Sequence, residues 1–458
     1  MEIVIVGAGE VGRVVAQRLA DDGHDVRLVE RSEDTAKIVS EELDVDVITG
    51  NGARPQVLAK AGIVPGGNVD MLIACTDRDE VNMLSCWIAH NAGVKQVVSR
   101  TRSLEFTDSP DWGKRLGIDA MISPERSIAR EILGLIEVSA ATHAAELMDR
   151  RAALYTVTIA ENSPLAGMML KDIRRKFPKL TAVFVYVEHD DGVAGVPDGF
   201  TQIRAGDNCY IVTYKKSAWL LAQLCQPESE KVRKIFIVGG GKIGVQIASS
   251  IRADMGNVSI RIFDKDYDTC RQLSALFGET LVINSDGADE AVWHNEGIDT
   301  CDAYICATQS DETNLVYCAL AKKAGAGKTI AISRRKQYHG LSGVIAVDAV
   351  ADPSECLAGV ILKFVRFRHH ALAYTMIENI NAEMLELVIS GDSPASGKSL
   401  MELKLGKGIV VALVGRGNDV LIPGGNDVLL AGDRVIIFAL SDFISKSAEM
   451  FGASQHEG

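Results

Sequence analysis

The sequence predicts an α/β chain built from two doubly wound parallel sheets, each followed by a small α+β module. Three observations predict it. Residues 3–12 read IVIVGAGEVG and residues 235–244 read IFIVGGGKIG, an apolar strand running into G-x-G-x-x-G each time. A second strand in each half closes on an acid: VRLVE ends on Glu30, 18 residues after Gly12, and IRIFD ends on Asp264, 20 after Gly244. That is close to the spacing of a dinucleotide-binding fingerprint. Finally, the remainder of each half is echoed in the other, so the chain is a tandem repeat.

The first strand of each half is a run of Ile and Val, the composition of a strand buried on both faces. The helix after it starts near Glu10 in half one. The segment ITGNGARPQVLAKAGI (48–63) answers INSDGADEAVWHNEGI (283–298). Next, DMLIACTDRDEVNMLSCWIA (70–89) answers DAYICATQSDETNLVYCALA (302–321), pairing Thr76 with Thr308, Asp79 with Asp311, Glu80 with Glu312 and Asn82 with Asn314 at one offset. The short strands VVSRTRS (97–103) and AISRRKQ (331–337) follow, each carrying Ser-Arg. IDAMISPERSIAREIL (118–133) is matched more loosely by AVDAVADPSECLAGVIL (346–362). Strand and helix thus alternate about six times in each unit, the pattern of a Rossmann-like sheet.

The small modules match as well. YTVTIAENSPLAGMMLKDI (155–173) parallels ELVISGDSPASGKSLMEL (386–403), and GVPDGFTQIRAGDNCYIVTY (195–214) parallels LIPGGNDVLLAGDRVIIFAL (421–440). The polar run PESEKVRK near Gln226–Lys231 marks the seam between halves. The expected domains are 1–140 and 232–370 for the nucleotide-binding sheets, and 141–226 and 371–458 for the modules that follow them.

Composition narrows the function classes. The chain has 458 residues, a net charge of −13, 47% hydrophobic and 5% aromatic residues. The acidic balance argues against a nucleic-acid partner or a polybasic membrane anchor. The longest apolar runs, IVVALV (409–414) and VIIFAL (435–440), fall far short of the ~18–20 residues that insertion across a bilayer needs. The first strand starts at the first residues, so no signal peptide is expected. Nine scattered cysteines without a C-x-x-C pair read as buried free thiols of a cytoplasmic protein.

The expected nucleotide contacts lie at the carboxyl ends of the strands. In half one they are Gly7, Ala8, Gly9, Glu10, Val11, Gly12, Glu30, Asn51, Cys75, Thr76 and Arg100, with Arg102 close by. In half two they are Gly239, Gly241, Lys242, Ile243, Gly244, Asp264, Asp286, Thr308 and Arg334. The glycines allow a tight turn and close approach to pyrophosphate, the helix start offers N–H groups, and the arginines suit phosphate oxygens. Glu30 would accept from the adenosine ribose hydroxyls and repel a 2′-phosphate, favouring NAD(H), ADP or ATP over NADP. Glu10 and Lys242 stand at the same position with opposite charge, so half two is expected to favour the more anionic nucleotide.

No catalytic residue is expected. The chain contains no Tyr-x-x-x-Lys and no Walker-type phosphate loop. His24, His90 and His294 fall in or near helix ends and loops, and His369–His370 read as the basic face of a connecting helix. Glu188–Asp191 reads as a solvated hairpin turn. Two enzyme-free readings and one enzymatic reading stay open from the residues: a transport regulator, a nucleotide sensor for another soluble partner, and an NAD-dependent oxidoreductase with duplicated Rossmann domains.

GAGEVG with Glu30, the TGNG segment, ACTDRDEVN, SRTRS and the SPLAG and AGD modules resemble the RCK (also called KTN) domain family, which regulates potassium channels and transporters. The resemblance covers essentially the whole chain. It implies a non-enzymatic regulator with two N-plus-C copies, assembled as a homotetrameric ring on the cytoplasmic face of a TrkH/TrkG-type potassium-translocating membrane subunit. It further implies that NAD(H), or ADP against ATP, changes the ring's shape and so gates the pore. In related domains a glutamate after the strand-six proline helps hold a cation beside the phosphates. Glu125 of ISPERS matches that position, whereas half two has Ser354 after Pro353. Some relatives carry arginine where this chain has Glu10.

Overall fold

A computed structural model describes residues 1–107, 109–228, 230–278, 282–335, 337–338, 345–367, 371–377 and 380–452. His369 and His370, and Ser229 in the seam, lie outside the described residues. Four sheets are formed. The first contains β1 (Glu2–Val6), β2 (Asp25–Glu30), β3 (Asp46–Thr49), β4 (Met71–Ala74), β5 (Gln96–Arg100) and β6 (Ala120–Ile122). Its order is β3-β2-β1-β4-β5-β6, and its pairings are parallel, with Val6 beside Val29 and Ala74. The order reverses between β1 and β4, where a crevice opens at the carboxyl ends of the strands.

The second sheet is antiparallel and contains β7 (Ala141–Leu147), β8 (Ala152–Thr158), β9 (Ala182–Glu188), β10 (Ala194–Gly195) and β11 (Asn208–Tyr214), in the order β10-β9-β11-β8-β7. The second half repeats both. Strands β12 (Lys234–Val238), β13 (Ser259–Asp264), β14 (Val282–Asn284), β15 (Ala303–Cys306), β16 (Lys328–Ile332) and β17 (Ala349–Ala351) run β14-β13-β12-β15-β16-β17. Strands β18 (Ala371–Ile377), β19 (Ala382–Val388), β20 (Ile409–Arg416), β21 (Asp419–Leu421) and β22 (Arg434–Leu440) run β18-β19-β22-β20-β21. Both copies therefore have one topology.

Local chemistry sets the element ends. The helices Glu33–Glu42, Tyr267–Phe277 and Asp311–Lys323 start at Ser32, Asp266 and Ser310, whose side chains accept a backbone N–H from the first turn. The helix Asp79–Ala92 stops at Gly93, with φ 96°, where the left-handed conformation suits glycine. The parallel strands supply the cores: Val4, Val6, Leu72 and Val97 in the first sheet, and Phe236, Phe263 and Tyr304 in the third.

Compactness divides the chain into two units. One comprises Met1–Ile128 with Asp352–Val365, and the other Ala129–Ala351 with Arg366–Gly458. The helix Pro353–Phe367 follows β17 in sequence, yet its residues to Val365 are built into the unit that holds the first sheet. In the second unit the two antiparallel sheets share one core, in which Leu154, Val185 and Tyr210 pack with Met384, Leu413 and Phe438.

Candidate nucleotide sites

In half one, β1 delivers the chain to Gly7, whose φ of 107° is glycine territory. A Cβ on Gly12 would lie 1.9 Å from the Gly7 carbonyl oxygen. These two glycines are demanded by the loop's own packing. Gly9 is not: its φ is −68°, and an added Cβ would meet nothing within 4 Å. Half two repeats the arrangement. Gly239 has φ 104°, a Cβ on Gly244 would lie 1.9 Å from the Gly239 oxygen, and one on Gly241 would meet nothing within 4 Å. The middle glycine of each loop thus faces open space.

Gly9 and Gly241 also serve as N-caps of the helices Glu10–Asp21 and Lys242–Asp254, and neither helix start carries a side-chain cap. Its first N–H groups and positive dipole end suit phosphate. Glu10 and Lys242 are both exposed at these starts. Ala8 and Val11 are buried, Ile243 is half-buried, and they line the loops from beneath.

The strand-end acids are strapped to the loops. Glu30 accepts from Ala8 N–H at 2.8 Å with one carboxylate oxygen and from Ser32 N–H at 2.8 Å with the other. Asp264 accepts from Gly240 N–H at 2.7 Å and Asp266 N–H at 2.8 Å. Each acid is held in orientation at the crevice edge. Asn51 accepts from Ala53 N–H at 2.9 Å, and Asp286 accepts from Ala288 N–H at 3.2 Å and from the Tyr317 hydroxyl at 2.7 Å. The Tyr317 hydroxyl is pushed up to about 12, first by that hydrogen bond and then by burial.

Cys75 reaches the site from below. Its thiol is buried, 3.6 Å from the Gly7 oxygen, and burial pushes it up to about 12, so it is a packing group rather than a nucleophile. Thr76 is fixed by Asn82, whose Oδ1 accepts from Thr76 N–H at 2.9 Å and from its hydroxyl at 2.7 Å. The Asn82 amide donates onward to the Thr76 and Arg100 carbonyls at 3.1 and 2.9 Å. Asn314 does the same for Thr308 and Ile332. Both asparagines are fully buried. A second bracket comes from the helix starts: Asp79 accepts from the Arg102 and Ser103 N–H groups, Asp311 from those of Arg334 and Arg335. These pairs were visible in sequence as matched polar residues, but that they tie the loops after β4 and β5 together is not visible there.

The arginines differ between halves. Among the described residues the buried Nε of Arg100 has no hydrogen-bond partner, and its Nη1 lies 3.5 Å from the Cys75 oxygen. Burial, then the neighbouring Arg102 cation, push its guanidinium below the ordinary arginine range. Such a group favours an anionic partner. In half two the counterpart of Arg100 is Ile332, because Asn82 and Asn314 donate to the carbonyls of those two residues. The Ser-Arg match read from the sequence is therefore out of register by two, and Arg334 stands where half one has Arg102, 3.2 Å from Asp311. Glu125 is buried, accepts from the Ser123 hydroxyl at 3.2 Å, and sits 3.6 Å from Arg102 Nε. Among the described residues no three His, Cys, Asp or Glu converge on a metal-sized site. A carboxylate already facing an arginine does not by itself fit a cation. The Glu188–Asp191 turn likewise serves structure, with His189 2.8 Å from the buried Asp207.

One residue of this site could not be read from the repeat. Asp352 caps the helix Pro353–Phe367 in the first unit, accepting from Ser354 N–H at 2.7 Å. Burial, then the charges of Glu355 and Glu10, push its carboxyl up to about 7. It occupies the position of Ser123 in the other half, so no matched acid signals it.

Residues 3–124 and 235–353 match the TrkA-N domain family, and residues 384–452 match the TrkA-C domain family. The chain is 29% identical over 460 residues to the Trk system potassium uptake protein TrkA of Azorhizobium caulinodans, covering 99% of each. It is 31% identical over 460 residues to the TrkA homolog 2 of Methanosarcina mazei, covering 98% of this chain and 100% of that one. Among solved structures it is similar in fold to the RCK domain of GsuK, with a TM-score of 0.63 at 17% identity over 99% of this chain and 95% of that one. The GsuK channel bound to NAD is similar to the same degree, with 79% of its chain covered.

Proposed function

The chain belongs to the TrkA family, and from that premise we propose that it is the nucleotide-sensing regulatory subunit of a Trk-type potassium uptake system. The observation that carries the sensing role is the pair of middle glycines, Gly9 and Gly241, whose smallness the chain's own packing does not require. Around each, an uncapped helix start, a strapped acid and a strand-end threonine are arranged for a dinucleotide. NAD(H) is the ligand this reading favours, with ADP or ATP as competitors, and the NAD held by the similarly folded GsuK channel supports it.

The geometry supports the following roles. Gly9 and the helix start after it receive the pyrophosphate, Glu30 the adenosine ribose, and Arg100 any further anionic group. Gly241, Asp264 and Lys242 do so in half two. In this reading binding is not followed by turnover. The partner is a TrkH/TrkG-type membrane subunit, which a homotetrameric ring of this chain meets at the cytoplasmic face. The four domains of the reading are 1–140, 141–226, 232–370 and 371–458. The ligand acts by binding one ring shape more tightly than another. A swing from 1:99 to 99:1 takes ~5.5 kcal/mol, within reach of several sites at ~1–3 kcal/mol each.

Equilibrium binding of NADH, NAD, ADP and ATP to the full chain and to Gly9→Asp and Gly241→Asp variants tests this. Two site classes without turnover are expected, each variant losing one of them. Absence of saturable binding to the unaltered chain, or consumption of NADH, would overturn the reading.

A further inference from the structure

The turn between β7 and β8 holds three consecutive non-glycine residues in the left-handed region, Met148 at φ 52°, Asp149 at 48° and Arg150 at 71°. Each such residue costs of order ~1–2 kcal/mol, and runs of them persist only where the surroundings over-determine them. Here every residue of the turn is tied down. Met148 N–H donates to the buried Glu386 carboxylate of β19 at 2.7 Å. Asp149 pairs with Arg434 of β22, which also grips Glu386. Arg151 donates to the Gly417 carbonyl at 3.1 Å. The turn is thereby riveted to the second small module, whose core the first module shares.

Arg150 points elsewhere. Its guanidinium forks onto both carboxylate oxygens of Asp254, with Nη1 to Oδ1 at 3.0 Å, while Nε donates to Glu146 at 3.1 Å. The Asp254 bond, first among the causes, raises the guanidinium above its ordinary range. A bidentate fork fixes direction as well as distance. Asp254 is the last residue of the helix Lys242–Asp254, whose N-cap is Gly241 of the second fingerprint loop. A helix of 13 residues is a rod of about 20 Å at ~1.5 Å per residue. One end of that rod meets the candidate phosphate site and the other ends on the turn.

We propose that Arg150 and Asp254 form a strut that carries the position of the fingerprint helix of half two into the shared core of the small modules. The proposal rests on reading the Gly241 loop as a nucleotide site for its input, but the link itself does not need a ligand. A ligand that draws the helix start by a fraction of an ångström displaces Asp254 along the same axis. The strained turn, bonded at all its other points to β19, β22 and the loop after β20, passes the displacement on. Nothing comparable is available to a freely rotating surface ion pair, because the Arg150 side chain is braced by Glu146 of β7.

The test is hydrogen exchange on the full-length chain, followed at residues 382–388, with and without NADH. Without nucleotide, Arg150→Gln and Asp254→Asn should each speed exchange there several-fold, and the double variant should be no faster than either single one. Additive effects would overturn the strut. With NADH, the unaltered chain should gain protection both at 242–254 and at 382–388. Arg150→Gln should keep the first and lose the second, and the charge exchange Arg150→Asp with Asp254→Arg should restore it. A response at 382–388 that survives Arg150→Gln, or that the exchange fails to restore, would also overturn the proposal. If the unaltered chain binds no NADH, the sensing role falls, while the nucleotide-free arm still decides whether the strut exists.

Discussion

Gly9 and Gly12 lie three positions apart in one loop, and an added methyl group should have opposite consequences at the two. At Gly9 the backbone is ordinary and the space is open, so Gly9→Ala should change folding stability by less than ~0.5 kcal/mol while weakening nucleotide binding at half one. Gly12→Ala drives a Cβ onto the Gly7 carbonyl and should cost ~1–3 kcal/mol of stability. Urea unfolding beside NADH titration separates the two, and equal stability losses would contradict the assignment. Asp352 acts at the same scale through its charge. Its folded-state carboxyl stands near 7 against an ordinary value of 3.8. The folded chain therefore binds the extra proton between roughly pH 4 and 7, and this contribution to stability is lost as pH rises through 7. Because an unprotonated Asp352 adds to Glu10 against an anionic ligand, NADH affinity at half one should rise on going from pH 8 to pH 6. Asp352→Asn should flatten that dependence in calorimetric titrations at the two pH values.

At the scale of elements, each crevice is held by side chains from the helix that follows the fourth strand. Asn82 joins the loop after β4 to the end of β5 through four hydrogen bonds, and it is fully buried. Asn82→Ala leaves Thr76 N–H without its partner, at ~1–3 kcal/mol for a buried group left unpaired, and leaves the Arg100 carbonyl with the Ser99 hydroxyl alone. The expected outcome is a destabilised chain whose NADH affinity at half one falls at least tenfold, since Thr76 and Arg100 lose their common anchor. Asn314→Ala should do the same at half two alone. Retained affinity in the Asn82 variant would show that the loops hold their shape without it. The Asp79 and Asp311 brackets lie on the same helices, Asp79–Ala92 and Asp311–Lys323, so both crevices depend on one helix each for loop geometry.

At the scale of the whole molecule, distant stretches of the second unit are joined by buried chemistry. Lys328, at the start of β16, is buried and donates to the Leu135, Val138 and Ala141 carbonyls at 2.7, 3.3 and 2.5 Å. It thereby closes the carboxyl end of the helix Pro124–Glu137, where a cation also meets the negative dipole end. Burial pushes its ammonium down to about 7, with Asp348 opposing and Lys322 reinforcing the shift. The unfolded chain keeps this proton up to about pH 10.4. Between pH 7 and 10 the unfolded state thus binds more protons, and stability should rise with pH from this group. Lys328→Met should reduce the gain in urea midpoint between pH 7 and pH 9; an unchanged gain would place the effect elsewhere.

The repeat, the parallel strands and the fingerprint were legible in the sequence because each depends on local physics. Runs such as IVIV and IFIV can only be buried strands, and a glycine that must approach a neighbour's carbonyl leaves its mark on the residue type. The strand-end acids Glu30 and Asp264 were legible for the same reason, since their place is fixed by counting along one strand. What the tertiary structure alone decided involves partners far apart in the chain. Residues 352–365 belong with the first sheet, Arg100 has Ile332 and not Arg334 as its counterpart, Lys328 seals a helix nearly two hundred residues upstream, and Arg150 reaches Asp254. Sequence periodicity reports which face of an element is buried but not against what, and charges reveal their partners only once distant segments have been brought within hydrogen-bond reach.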